Sequence, residues 1–408
     1  MKSSGIGRRH FLAGGVAGAV GLAATGCSQA SEDNRAGDQQ TSLGALTIPF
    51  DGVHQSGIST PEQAHLNLVG MNLLQGVDKN GLRRLLTLWT EDARALCEGR
   101  APLGSLEPEL ARDPAELTIT GGIGAPGLQR VGLDHATPEW LADIEPFERD
   151  ALRPEWGQTD LVLQICGNDP LSVAYATRHM LRSSVSYAKH VWTQKGFMNA
   201  AGVKTAGETP RNLFGQKDGT INPRGQEELD QHVWATRDSS PAWMVDGTAM
   251  VVRRIQMHMD EWEKLDRSSR EIVVGRTLDT GAPLHGGDEF DEIDMTVTDE
   301  YGLPAIDPSS HAARAKAPAE NPEQQILRRP YNFDLPPVDV MEDTSNTGQI
   351  FICFQKDPRT QFTPIQRRLD QVDRLNEWIT HIGSAVYAVF PGVGADGDKY
   401  WGERLFTV

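Results

Sequence analysis

The chain has 408 residues, a formal net charge of −17, 38% hydrophobic and 23% charged residues. That length allows two or three domains with a substantial core, and a polyanion of this kind is repelled by nucleic acid and by anionic membrane surfaces. None of the four cysteines, Cys27, Cys97, Cys166 and Cys353, forms a Cys-x-x-Cys pair, which argues against zinc ribbons and thioredoxin-like redox sites.

The first 44 residues read as an address and a tether. Gly7-Arg8-Arg9-His10-Phe11-Leu12 has the form of a twin-arginine export signal. Ala13 to Thr25 is too short and too Gly-rich for a permanent membrane span. Ala24-Thr25-Gly26-Cys27 resembles a bacterial lipoprotein cleavage site, although Leu or Val is commoner where Ala24 stands. Lipid anchoring at Cys27 and plain signal cleavage are both open. Residues 28–42 are polar and read as a disordered tether. The twin-arginine route carries folded proteins, often with a cofactor inserted, so the motif raises the expectation of a bound cofactor.

Leu46 to Phe50 reads as a first short strand, and Pro61 opens a helix-length segment before the apolar run Leu68 to Leu74. Gly81 to Ala95 carries Leu82, Leu85, Leu86 and Trp89 at helical spacing. Residues 99–127 are Pro- and Gly-rich loop with a short strand at Leu117 to Thr120. Asp160 to Cys166 is strand-like, and Pro170 starts a helix through Ala188. The second half repeats this grammar. A β-rich run spans Thr248 to Gln256, a helix Met257 to Val274, and an acidic loop residues 277–310. Gln349 to Gln355 forms a strand, and Pro364 to Ile379 an amphipathic helix. The pattern predicts an α+β protein of two similar halves with antiparallel sheet.

Between the halves lies Arg211-Asn-Leu-Phe-Gly-Gln-Lys-Asp-Gly-Thr-Ile-Asn-Pro223, with a Gly-x-x-Asp-Gly core from Gly215 to Gly219. Asp-Gly is a turn dipeptide. Two glycines around one acid can equally lay main chain against a flat ligand and hold a carboxylate over it. The residues alone leave both readings open.

Four segments then follow in order: Asn212 to Thr220, Asp279-Thr-Gly-Ala-Pro-Leu284, Ser310-His311, and Ile326-Leu-Arg-Arg-Pro-Tyr331. Phe351-Ile-Cys-Phe-Gln355, Leu375-Asn-Glu-Trp378 and Phe390-Pro-Gly392 complete the set. Together they resemble the dye-decolourising haem peroxidases, and the twin-arginine motif points to the exported subgroup with members linked to iron uptake. The resemblance implies two ferredoxin-like domains, residues 45–213 and 214–408, with haem b in the second. It implies His311 as the proximal iron ligand, which composition cannot choose among eleven histidines. Glu377 is the expected carboxylate partner of that imidazole, with Asp373 in reserve.

On the distal side the resemblance implies Asp218 as the acid–base group for hydrogen peroxide and Arg328 as the stabilising cation. Adjacent strand residues face opposite sides, so only one of Arg328 and Arg329 readily enters the pocket; the family pattern favours Arg328, leaving Arg329 to a haem propionate or to solvent. Gly219, Thr220 and Ile221 are expected against the haem, with Lys316, Ala317 and Pro318 nearby and Arg276 as a propionate partner. The implied activity is oxidation of dyes, phenols or other one-electron donors by peroxide, on a chain that can be oligomeric. The alternatives are release of iron from haem with the porphyrin intact, in partnership with an iron-uptake system, and a haem-binding lipoprotein without turnover. The last needs His311 but not Asp218 or Arg328.

Overall fold

The structure, a computed structural model, describes residues 42–205, 207–338, 344–394 and 397–407; the twin-arginine motif and Cys27 lie outside them. The first half runs β1 (His65–Leu73), α1 (Lys79–Cys97), β2 (Thr118–Ile123), α2 (Ala125–Arg130), β3 (Leu161–Gly167), α3 (Pro170–Ser184) and β4 (Ala188–Phe197). The second runs α4 (Gly225–His232), β5 (Thr248–Met257), α5 (Met259–Trp262), α6 (Arg267–Val274), α7 (His311–Ala315), β6 (Leu327–Arg328), β7 (Tyr331–Leu335), β8 (Asn346–Gln355), α8 (Phe362–Val372) and β9 (Ile379–Val389).

The helices begin where local chemistry satisfies their first free N–H groups. Asp78 accepts from Gly81 N ahead of α1, and Asp169 accepts from Ser172 N ahead of α3, with Pro170 in the first turn. On α1 the stripe Leu82, Leu85, Leu86, Trp89, Ala93 and Leu96 is buried against the sheet, as its spacing predicts.

All strand pairings are antiparallel, and each half has one order. β4-β1-β3-β2 in the first half matches β9-β5-β8-β6/β7 in the second, with the broken edge β6/β7 counted as one strand. In both, the fourth strand lies beside the first, then the third, then the second, which is the ferredoxin-like arrangement. The halves join at two seams, Gly122 with Val389 and Ile123 with Ala388 on one side, Phe197 with Asn332 on the other. Leu66, Val162, Met250, Ile352 and Tyr387 share one buried cluster, so strands of both halves turn one face to a common core.

Several sequence expectations shift. Leu46 to Phe50 forms no strand, and the residues after Pro61 lead into β1 rather than a helix. The helix read from Met257 to Val274 is two pieces, because Asp266 accepts from Ser269 N at 2.8 Å and starts α6 afresh. The helix read to Ile379 stops at Val372; a 3-10 turn, Arg374–Glu377, follows and Ile379 begins β9. β4 and β9 were not legible as strands. Most of β9 is buried on both faces, so it lacks the alternation that marks a half-exposed strand.

A buried ion pair crosses between the halves. Arg253 on β5 is fully buried, its Nη2 donates to Asp150, and the Asp150 side chain is only 2% exposed. Asp150→Ala leaves that guanidinium buried without its carboxylate, with only the Ser384 hydroxyl among the described residues, 3.2 Å from Nη1, still accepting from it. We expect a loss of about 3–5 kcal/mol in equilibrium urea unfolding, read from the shift in midpoint at unchanged slope.

Candidate active site

The outer face of the second sheet meets α7 and α8 across a cavity of about 490 Å³, within the range typical of cofactor sites. Ile255 and Met257 on β5, Gln349 and Phe351 on β8, and Ile379 and His381 on β9 project into it. Their neighbours Val252, Ile350 and Ile352 point the other way into the shared core. Val274, Ile293, Phe362, Ile365 and Leu369 complete a largely apolar wall.

The Arg211–Pro223 segment is both a turn and part of this wall. Arg211 bridges Lys217, Gly215 N donates to Asn212 O at 2.9 Å, and Gly215 takes φ +83°. Gly219 follows at φ +122°, a conformation other residues rarely adopt. Lys217 is nearly buried and pairs with Glu289 and, at 3.1 Å, with Glu208, tying the loop down beside Asp218. Asp218 then faces the cavity. Its Oδ1 is 3.3 Å from Arg328 Nη1, while its Oδ2 accepts from Gln349 Nε2 at 2.7 Å and from Asn212 Nδ2 at 3.4 Å.

Arg328 is fixed through its backbone. Asn222 Nδ2 donates to Arg328 O at 2.8 Å and Arg328 N donates to Asn222 Oδ1 at 3.1 Å, so a side-chain amide does the work of a strand partner. Strand alternation turns Arg328 into the cavity and Arg329 away from it. Arg329 is buried elsewhere, donating to Thr60 O at 2.6 Å, Pro61 O at 2.9 Å and the Gln63 side chain. The expectation of Arg329 at a haem propionate or in solvent is therefore corrected: both of its terminal nitrogens are engaged in holding the 60–63 segment.

On another wall stands His311, the first residue of α7. Gly275, at φ +88° at the end of α6, lets that helix abut Ser310; an added Cβ would lie 2.7 Å from Ser310 Oγ. His311 Nδ1 and Asp373 Oδ2 are 2.7 Å apart, and Asp373 Oδ1 accepts from Leu375 N at 2.9 Å. Burial works against a charge on the imidazole, yet the Asp373 carboxylate outweighs it and holds the His311 pKa above its ordinary value. His311 Nε2 has no hydrogen-bond partner among the described residues, and the ring lines the cavity.

Glu377 is corrected on the same geometry. It sits at the end of the 3-10 turn after Asp373, outside the cavity, while Asp373 occupies the position against the imidazole. Thr220, Ile221, Lys316, Ala317 and Pro318 do line the cavity; Gly219 does not. Lys316 Nζ is held by Glu292 Oε2 at 3.2 Å and by Ile293 O. Arg276 reaches the wall, but its guanidinium donates to Gly281 O, Glu289 O and Asp291 O at 2.8–3.0 Å. Burial, with Arg328 adding to it, pushes the Arg276 pKa down to about 10 against the opposing pull of Asp291 and Glu289.

Sequence reading missed Asn222 and Gln349. Asn222 carried a signal, since it lies four residues after Asp218 in the same motif, whereas Gln349 was legible only as part of a strand. Asn222→Ala removes both hydrogen bonds to Arg328 and should cost about 1–3 kcal/mol, measured by denaturant unfolding against wild type.

Family models described as Dyp-type peroxidase, N-terminal and C-terminal, match residues 55–198 and 209–394. The dye-decolorizing peroxidase of Thermobifida fusca is 34% identical, over 98% of this chain and 97% of its own length. The deferrochelatase of Escherichia coli K12 is 32% identical over 88% of this chain and 87% of its own. Among solved structures, a DyP-type peroxidase from Cellulomonas bogoriensis superposes with a TM-score of 0.85 at 42% identity, covering 90% of this chain and all of that one. Ferric DtpA from Streptomyces lividans gives 0.84 at 37% identity, covering 90% and 99%. Matched along both halves by sequence and by fold, the chain belongs to the Dyp-type peroxidase family.

Proposed function

We propose that the chain binds haem b in this cavity and uses hydrogen peroxide to oxidise one-electron donors such as dyes and phenols. One observation carries the reading: an Asp218–Arg328 pair and a His311–Asp373 pair line the walls of a single apolar cavity. The residues fit the cofactor. His311 offers one nitrogen while its other is engaged by Asp373, so it would serve as the protein ligand to a haem iron. The apolar walls suit a porphyrin face, and Lys316 and Arg276, each already engaged by protein oxygens, are cations on the wall that would meet a propionate.

Haem, when bound, supplies the iron that receives the peroxide and the two electrons that cleave its O–O bond. Asp373 orients His311 and raises its basicity. Asp218 takes the proton from one peroxide oxygen and returns it to the other. Arg328 stabilises the negative charge that builds during cleavage. Thr220, Ile221, Ala317 and Pro318, which line the cavity, would flank the cofactor. In this reading residues 45–213 form the first domain and 214–408 the haem-binding one. The Arg8-Arg9 motif supports export by the twin-arginine route, with Cys27 as a candidate lipid anchor.

The deferrochelatase relatives motivate a second reading, release of iron from haem with the porphyrin intact, in association with an iron-uptake system. It predicts free protoporphyrin in the products. Protoporphyrin absent under reducing conditions removes it.

Titration of the mature protein with haemin should give a sharp Soret band that changes on one equivalent of peroxide; His311→Ala should abolish the specific band. Asp218→Asn should keep the band and slow the reaction with peroxide by about 10²–10⁴-fold, measured by stopped flow. An unchanged rate removes Asp218 from the mechanism. Asp373→Asn should lower haem affinity or activity by about 10–100-fold, while Glu377→Gln leaves both as in wild type.

A further inference from the structure

The two oxygens of Asp218 are not equivalent. Oδ2 accepts from Gln349 Nε2 at 2.7 Å and from Asn212 Nδ2 at 3.4 Å; Oδ1 faces Arg328 Nη1 at 3.3 Å. Gln349 is 6% exposed and lines the cavity from β8. An ionised carboxylate only accepts hydrogen bonds, so the amide NH₂ of Gln349, not its carbonyl, faces Asp218. An N–H already aimed at Oδ2 occupies the direction in which that oxygen would take a proton from a ligand. Oδ1 is left as the oxygen that can.

We propose that Gln349 is a positioning residue that fixes the Asp218 rotamer and reserves Oδ1 for the peroxide proton. The inference rests on the peroxidase reading and on Asp218 as the base. In the step it serves, an O–H bond of peroxide breaks and Oδ1–H forms beside Arg328. The same proton then bonds to the other peroxide oxygen as the O–O bond breaks, and that oxygen leaves as water. The electrons come from the haem, as above. Without the short Gln349 contact, only the long Asn212 contact holds Oδ2. Both carboxylate oxygens are then drawn to the Arg328 guanidinium, whose planar fork favours two-point pairing, and the gap between acid and cation closes.

The test uses the haem-loaded protein. Gln349→Met keeps length and removes the donor; Gln349→Leu is the second variant should the first hold no haem. A crystal structure of the variant, a readout independent of turnover, should show the Asp218 carboxylate rotated onto Arg328. Stopped-flow reaction with hydrogen peroxide should slow by about 10–100-fold, with Soret position and the rate of reduction by an added donor unchanged. In the Asp218→Asn background, Gln349→Met should have no further effect, because a residue that acts only through Asp218 has nothing left to act on. An Asp218 that stays in place with a wild-type rate overturns the proposal, as does a full additive loss in the double variant. A wild type inert to peroxide removes the peroxidase reading and the proposal with it.

Discussion

The two-residue period of the β-strand is the constraint on which the site depends. On β5, β8 and β9 one set of side chains, including Val252, Ile350, Ile352 and Tyr387, fills the core shared by the two halves. The intervening set, including Met257, Gln349 and Phe351, forms the wall of the cavity, and a bulge at Ile382 turns His381 onto the same wall. A slip of one residue in any of these strands exchanges the two sets and puts polar groups in the core. The same alternation sends the neighbours Arg328 and Arg329 to opposite faces. One meets Asp218 and the other anchors the 60–63 segment.

Charge inside the molecule is paired across chain distance. Asp373 answers His311, Arg328 answers Asp218, and Asp150 answers Arg253. Removing such groups from water costs several kcal/mol each unless a partner and further hydrogen bonds offset it. Asp373 meets this with both oxygens, one on the imidazole and one on Leu375 N. Asp218 likewise engages both of its oxygens. Because the partners come from distant segments of the chain, none of these pairs exists until the sheet and its covering loops have closed. The loops are held by their own devices: the Lys217–Glu289 pair under the Asp218 turn, and the three carbonyls gathered by Arg276.

Legibility followed the range of the interaction. The stripe of α1, the run of β8 and the Gly-rich turn around Asp218 are set by neighbours along the chain and were readable. The choice between Glu377 and Asp373 was not. Both lie in one short segment, and spacing cannot say which meets His311. What decided it was the end of α8, where the chain leaves helical geometry at Asp373 and turns through a 3-10 stretch that carries Glu377 past the site. Gln349 was hidden for a related reason. A polar residue in a strand announces itself only when the opposite wall is known, and that wall is the Asp218 loop.

The sequence by itself determined the α+β grammar, the motif order that carries the family resemblance, and His311, Asp218 and the Arg328-Arg329 pair as the residues to look for. Tertiary structure alone decided which carboxylate meets the imidazole, which arginine enters the cavity, and which amide holds the distal acid. The physical reason is separation. His311 and Asp373 are 62 positions apart, and Asp218 and Gln349 are 131 apart. Contacts over such distances are fixed by how strands register and crossovers dock, which no local pattern encodes.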